Sequence, residues 1–410
     1  MGEMQMFKFE PGMKFLSDIM MRPADRRGIA PQQCNLFLLV ACSSMTILDV
    51  YAGNNAPRAE RQPTIKASSC AFEDVRSALS SLGHTGTVFI PAGKCDWGAN
   101  QLIVPSGVAL MGSGRDTTYL YRSARVQPNV YLIRYECKND SPAVLADLSL
   151  VGAGLIDNED RGVGLLNGCV DFEVSRSRFS RFVFAAIEVR GPRTQRGVIY
   201  DNEFIDNYIP KGNSPGYGIV VFGDATWPSL ELGSENAVYI EDNYFRGNRH
   251  HIASNNGSRY VFRNNIAIAT DMTKDFSQVD AHGLSSSPRG SRSWEIYNNQ
   301  FKANLTSGRN LAGIGIRGGD GVIFGNTFRG PIAHPVLLSL EGGKCGDYPT
   351  MDQIRDAYID EPDESVTNKC AVSIKPGRDY HISSKDGYRP FVYPHPLRNN
   401  PIRFLFFRPE

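Results

Sequence analysis

The chain has 410 residues, 44 Lys and Arg against 43 Asp and Glu, a net charge of +1, 40 Gly and 8 Cys. So even a balance leaves no polyelectrolyte footprint: no nucleic-acid partner and no attraction to a membrane surface are expected, and a polyanionic partner would need a local basic patch. No stretch reaches the apolar length that spans a bilayer, so no membrane span is expected either.

At the N-terminus, Arg22, Arg26 and Arg27 precede an apolar run from Leu36 to Val40 that resumes from Met45 to Leu48, and Val50-Tyr51-Ala52 places small residues ahead of Gly53. This reads as a cleaved export leader over residues 1–52. Leu39-Val40-Ala41-Cys42 supports a competing reading, a lipobox that would make Cys42 a lipidated N-terminus. Either reading places the chain outside the cell or on its surface. Cys70, Cys95, Cys137, Cys169, Cys345 and Cys370 then remain, an even set suited to an oxidising compartment and without zinc spacing. Pairing sequence neighbours (70 with 95, 137 with 169, 345 with 370) is the simplest arrangement, though six cysteines permit many others.

After a polar linker over residues 53–69, Phe72, Val75, Leu79 and Leu82 share one face of a short amphipathic helix. Such a helix can cover the open end of a solenoid and shield its unpaired strand edges. Residues 86–93 read as a first strand and turn, and residues 102–114 as the next.

Through the middle of the chain a phrase recurs, a small polar residue or Asn, one more residue, then Phe or Ile. It occurs as Ser177-Arg178-Phe179, Asn202-Glu203-Phe204, Asn243-Tyr244-Phe245, Asn264-Asn265-Ile266, Asn299-Gln300-Phe301 and Asn326-Thr327-Phe328, with gaps of 25, 41, 21, 35 and 27 residues. Repeats of about 20 to 30 residues signal stacked coils, and the two long gaps fit an insertion or an extra turn. The Asn residues would stack at a bend, bonding to one another and to backbone, and the Phe and Ile residues would stack inside. Short β-branched and aromatic runs lie between these marks, at residues 108–111, 144–150, 218–222, 238–240, 260–262, 294–297 and 322–324. An antiparallel sandwich with Asn-rich turns is the alternative, but it would show closer-spaced Asn-Gly or Asp-Gly hairpin signals.

The helix, the segments GTVFIPAGKCDW and VPSGVALMGSG, and the Asn-x-Phe coils together resemble the pectate-lyase-like superfamily of secreted right-handed parallel β-helix proteins, over roughly residues 70–340. The resemblance implies an all-β right-handed parallel β-helix and is weak for activity, because the superfamily holds lyases, hydrolases, epimerases and proteins without known catalysis. Its lyases often place an Arg or Lys base beside bound calcium, so calcium is a possible cofactor, although no matching acidic cluster is visible here. The GYRPFVYPHPLR stretch at 387–398 also resembles the ending of many exported β-helix proteins. Residues 341–410 are expected to form an irregular C-terminal cap, with a short helix around 348–358 and a Pro-rich tail along the side or end of the solenoid.

The densest polar cluster runs from Arg249 to Arg292 and holds three of the seven His. Coils stacked about 4.8 Å apart would bring His250, Arg263 and His282 onto one face. Eliminative cleavage of a uronic-acid polymer needs a group to neutralise the carboxylate, a base and an acid. Arg suits the first role and His the second. The catalytic candidates are therefore His250 or His282 as base, Arg263 and Arg249 on the carboxylate, and Asp280 orienting a His. Arg249, His251, Arg259, Arg289, Arg292 and the ring of Trp227 are the substrate-binding candidates, the ring through sugar stacking. Singly, each reads as readily as a solvated loop residue, a capped turn or a core side chain. A hydrolase would instead need two converging carboxylates, drawn from Asp224, Glu231, Glu235, Glu241, Asp242, Asp280 and Asp320. The expectation is a monomer that acts on an acidic polysaccharide by elimination, with hydrolysis or carbohydrate binding alone as rivals.

Overall fold

The computed structural model describes residues 62–399 except 139–140, 155–159, 193–194, 210–214, 227–228, 285–287, 307–309, 344 and 347–350. The leader, Cys42 and Trp227 lie outside the described residues. All that follows concerns the unit Ala59–Glu410.

The chain winds as a right-handed parallel β-helix. Successive coils feed three sheets, the first of twelve strands, the second of nine and the third of ten, in which every strand pairing is parallel. At the bend from the first sheet to the second, Arg176, Asp201, Asp242, Asn264, Asn298 and Gly325 take positive φ. A Cβ on Gly325 would lie 2.5 Å from Asn298 Oδ1, so glycine fits this bend best. The next residue in each bend forms the ladder. Nδ2 of Asn202, Asn243, Asn265 and Asn299 donates to Oδ1 of the Asn one coil on, at 3.1, 3.1, 3.1 and 3.0 Å. Ser177 N donates to Asn202 Oδ1 at one end (2.9 Å), and Glu361 Oε1 accepts from Asn326 Nδ2 at the other (3.1 Å).

Two residues after each ladder Asn the side chain turns inward. Phe179, Phe204 and Phe245 stack at 5.1 and 4.7 Å between neighbouring rings, and Phe301 stacks on Phe328 at 5.2 Å. The expected inward role of Ile266 is corrected here. Register pairs Phe245 with Ala267 and Ala267 with Phe301, so Asn265 is the ladder residue, Ala267 takes the inward place and Ile266 is half-buried. Phe262 on the first sheet approaches from the neighbouring strand, 5.5 Å from Phe245 and 6.3 Å from Phe301, as close packing requires beside a small residue.

Two boundaries move. Thr64–Lys66 pairs with Gly86–Ile90, so the stretch read as linker already carries a strand. Beyond residue 340, Ala357–Asp360 joins the first sheet, Val366–Asn368 the third and Tyr380–His381 the first again, so winding continues through the expected cap. Tyr358, placed in a helix from sequence, stands in one of these strands. The helix Phe72–Leu82 does occupy the N-terminal end, burying Val75, Ala78 and Leu79. Disulfides Cys70–Cys95, Cys137–Cys169 and Cys345–Cys370 follow the nearest-neighbour pairing. Among the described residues no helix is long and apolar enough to cross a membrane.

Candidate functional site

The first and third sheets present contrasting outer faces. On the first sheet, Tyr200, Tyr239 and Tyr297 point outward and are covered by Phe391 and Leu397 of the C-terminal tail. Arg263 belongs to this face. Its guanidinium pairs with Glu241 Oε2 at 2.6 Å, both side chains fully buried, and donates to Tyr297 Oη and to the carbonyls of Phe391 and Val392. The expectation that Arg263 would join His250 and His282 therefore does not hold: it lies on a different sheet and fastens the tail.

On the third sheet, Ile187, Ile219, Ile252, Val279 and Ile314 stack in register and fill the interior. The next position along each strand forms an outward row, Glu188, Val220, Ala253, Asp280 and Gly315. One residue beyond the paired Ser254, Ala281 and Ile316 stand Asn255, His282 and Arg317. Strand pairing thus brings Asp280 and His282 beside Arg317 of the following coil.

Asp280 is the centre of this corner. Its Oδ2 lies 2.6 Å from Arg317 Nη2, 3.0 Å from His282 Nε2 and 3.4 Å from His250 Nε2, and Oδ1 accepts from Arg317 Nε at 3.2 Å. Glu341, beyond the next strand, takes Arg317 Nη1 at 2.7 Å. Its Oε2 accepts from Gly283 N and approaches His282 Nδ1 at 3.4 Å, a charge contact rather than an aligned hydrogen bond, since Nδ1 has no hydrogen-bond partner among the described residues. Burial works against charge throughout, yet the neighbours outweigh it for four of these groups, Arg317 included, whose guanidinium is held charged by Asp280 and Glu341. Asp280 is held well below its usual value by His250, Arg317 and His282, and because His250 is uncharged above about 4, Arg317 and His282 exert that pull at neutral pH. Glu341 is lowered by His282 and Arg317, while Asp280 and Glu341 raise His282 to about 9. At neutral pH the corner therefore holds two carboxylates, an imidazolium and a guanidinium, with His282, Arg317 and Glu341 reaching solvent above the buried Asp280.

His250 is buried, and burial brings its pKa down to about 4. Its Nδ1 lies 2.5 Å from Ser277 O, which can only accept, so the single proton sits on Nδ1. Tyr217, one coil earlier, stacks on its ring at 5.8 Å, within electrostatic range of Asp280, Arg317 and Glu341. Arg249 lies over the Phe276 ring at 4.8 Å and also bears on His250. His251, expected in binding, instead turns inward and is fully buried between Asn248 and Gln278, where burial lowers it to about 3. Arg259 pairs with Glu231, Arg289 forks onto Asp352, and Arg292 reaches Asp320, each tying loops together. Of the ten residues expected, the structure gathers His250, Asp280, His282 and Arg249. It adds Tyr217, Arg317 and Glu341, which sequence reading had not singled out. Arg317 carried one usable signal, its position just past a strand at the same offset as His282, but the small residues of Ala312–Ile316 concealed that strand.

Of the carboxylates weighed for hydrolysis, Glu241 and Asp242 come together on Arg398 Nη1, but beneath the tail rather than on an open face. Glu241 and Asp242 serve Arg263, Arg398 and Tyr393 beneath the tail, Glu231 serves Arg259, and Asp320 caps the backbone N–H groups of Arg355 and Asp356. Among the described residues no group of three His, Cys, Asp or Glu side chains is disposed to hold a metal ion. Asp280 and Glu341 are committed to Arg317 and His282, so the donor set does not fit calcium.

No protein-family model and no curated protein matches the chain. Among solved structures it is similar to Geobacillus virus E2 ORF18 (14% identity, TM-score 0.37, 63% of this chain and 56% of that one). It is also similar to an alginate lyase from Paenibacillus sp. str. FPU-7 (14%, 0.39, 68% and 98%). The catalytic domain of a GH87 alpha-1,3-glucanase is a third (15%, 0.42, 82% and 63%). The chain thus spans less than two thirds of the viral protein and of the glucanase domain, and likenesses this remote carry no argument about activity.

Proposed function

We propose that the outer face of the third sheet binds an acidic polysaccharide and that the corner around Asp280 cleaves it by elimination. The carrying observation is the pairing of two partly exposed cations, His282 and Arg317, over a buried carboxylate, beside the ring of Tyr217. Elimination beside a uronate breaks a C–H bond and the glycosidic C–O bond and forms a C=C bond. Arg317 and His282 draw off the charge that develops on the carboxylate when the proton leaves. His282, protonated up to about pH 9, is the donor to the departing oxygen. His250 is the base: its Nε2 is unprotonated at neutral pH, and Asp280, 3.4 Å away, stabilises the proton it accepts. The roles of the two histidines are thus divided by their opposite shifts. Hydrolysis would need one carboxyl kept protonated opposite a carboxylate, and Asp280 and Glu341 are both held ionised.

A second reading, carbohydrate binding without catalysis, is favoured by the burial of His250, only 5% exposed beneath Tyr217. Three disulfides agree with either role outside the cell. The test is incubation with polyuronates while following ultraviolet absorbance of the unsaturated product. Cleavage that falls by about a hundredfold or more in His282→Ala and Arg317→Ala supports elimination. Binding without cleavage, lost in Arg317→Ala, selects the second reading. Neither binding nor cleavage removes the corner from consideration.

A further inference from the structure

A separate cleft of about 650 Å³ opens on the third sheet's outer face, several coils nearer the N-terminus. Arg134, Asn167, Arg190, Asp224 and Asn256 line it together with the ring of Tyr131, a volume and mixture suited to a sugar unit. Two of these side chains keep buried polar atoms without a hydrogen-bond partner among the described residues, the donor Nε of Arg134 and the acceptor Oδ1 of Asn256. A buried polar group left unpaired is costly, so this wall is under-satisfied at two points, while the Arg134 guanidinium also pairs with Glu136. Arg190 is held over the Phe222 ring at 3.9 Å and bonds Glu188 Oε1 at 2.6 Å, which fixes a half-exposed guanidinium in place.

We infer that this cleft is a distal subsite for one acidic sugar of the same chain that reaches Asp280, with Arg190 and Arg134 receiving its carboxylate and Asn256 a hydroxyl. The inference rests on the polysaccharide reading above. Arg190, Phe222 and Asn255 stand in register on successive coils, and the row continues to His282 and Arg317. Four coil steps separate Arg190 from Arg317, roughly 19 Å, so a short oligomer cannot occupy both ends.

The experiment is calorimetric binding of uronate oligomers of graded length, with neutral glucan oligomers as control, to the full chain and to Arg190→Ala, Arg134→Ala and Arg317→Ala. The expected result is that affinity rises steeply once the oligomer spans both regions, and that Arg190→Ala and Arg134→Ala each weaken long-oligomer binding by about tenfold, the loss of one charge-assisted contact. Length-independent affinity, or long-oligomer binding weakened by Arg317→Ala but by neither cleft variant, overturns the subsite and leaves the Asp280 corner standing. Loss in the cleft variants alone, with Arg317→Ala unaffected, upholds the cleft and instead sinks the corner. Equal binding of neutral and acidic oligomers overturns the assignment of its ligand as a uronate.

Discussion

The outer faces of the first and third sheets use the same kinds of residue to opposite ends. On the first, Arg263, Glu241, Arg398 and Asp242 close on one another beneath the tail, and the tail's backbone supplies further partners. On the third, Arg317, His282, Asp280 and Glu341 also pair, but no tail covers them, and beside them the two histidines are shifted in opposite directions, His282 up and His250 down. Neither ion pairing nor a shifted proton affinity by itself therefore distinguishes a clasp from a site; an open face bearing two histidines shifted in opposite directions does.

The contrast is broken most severely at the clasp. Arg263→Ala leaves Glu241 buried with Arg398 and the His395 N–H as remaining partners, and a loss of about 3–5 kcal/mol in denaturant unfolding is expected. Polyuronate binding should survive wherever the variant stays folded; a loss of binding at full stability would place Arg263 in the site after all. Next comes Asn265→Ala, in the ladder at the bend between the first and second sheets. It strips Asn243 N of its side-chain acceptor, takes one acceptor from Asn243 Nδ2, which keeps the carbonyls of Ile199 and Glu241, and should cost about 2–4 kcal/mol, read from the same unfolding curves. A cost below about 1 kcal/mol would mean that the stacked rings, not the amides, hold the coils.

A smaller effect is the pH dependence of stability, which should come from the third sheet. The folded state raises His282 from 6.5 to about 9, so its contribution is complete below pH 6.5 and lost as pH rises through about 9. His250 and His251 are lowered from 6.5 to about 4 and about 3, so theirs is complete above pH 6.5 and lost on acidification towards those values. Melting temperature should therefore peak near pH 6.5–7 and fall on both sides, and His282→Gln should flatten only the alkaline limb. An unchanged alkaline limb would mean that His282 is not held as an imidazolium. Smallest is Phe391→Ala, which trims the tail's contact with Tyr239 (5.4 Å) and His395 and should cost about 1–3 kcal/mol without altering the pH profile.

The first sheet was the more legible because its strands are flanked by the Asn phrase and carry β-branched or aromatic residues, as at Val238–Glu241 and Ser293–Tyr297. The third was not. His250–Asn255, Ser277–Ala281 and Ala312–Ile316 are rich in His, Ser, Gln, Ala and Gly, polar at Asp280 and small at Ala253 and Gly315 along the outward row, so no apolar run marks them. That polarity is what gives the face its chemistry and what hid its strands. The phrase Asn264-Asn265-Ile266 was likewise ambiguous, since two consecutive Asn fit the ladder equally until register chose Asn265.

The amino-acid order alone determined the solenoid, its amide column, the helix at its N-terminal end and a workable cysteine pairing, because each is written in local spacing that recurs coil by coil. Which charged residues became neighbours was decided only on folding. His282 meets Arg317 and Glu341 through coils whose lengths vary with their loops, while Arg263, two residues before Asn265, turns outward onto another sheet to meet a tail 128 residues further on. Lateral stacking converts separations that no local pattern encodes into contacts of about 3 Å, and those contacts set which histidine keeps its proton.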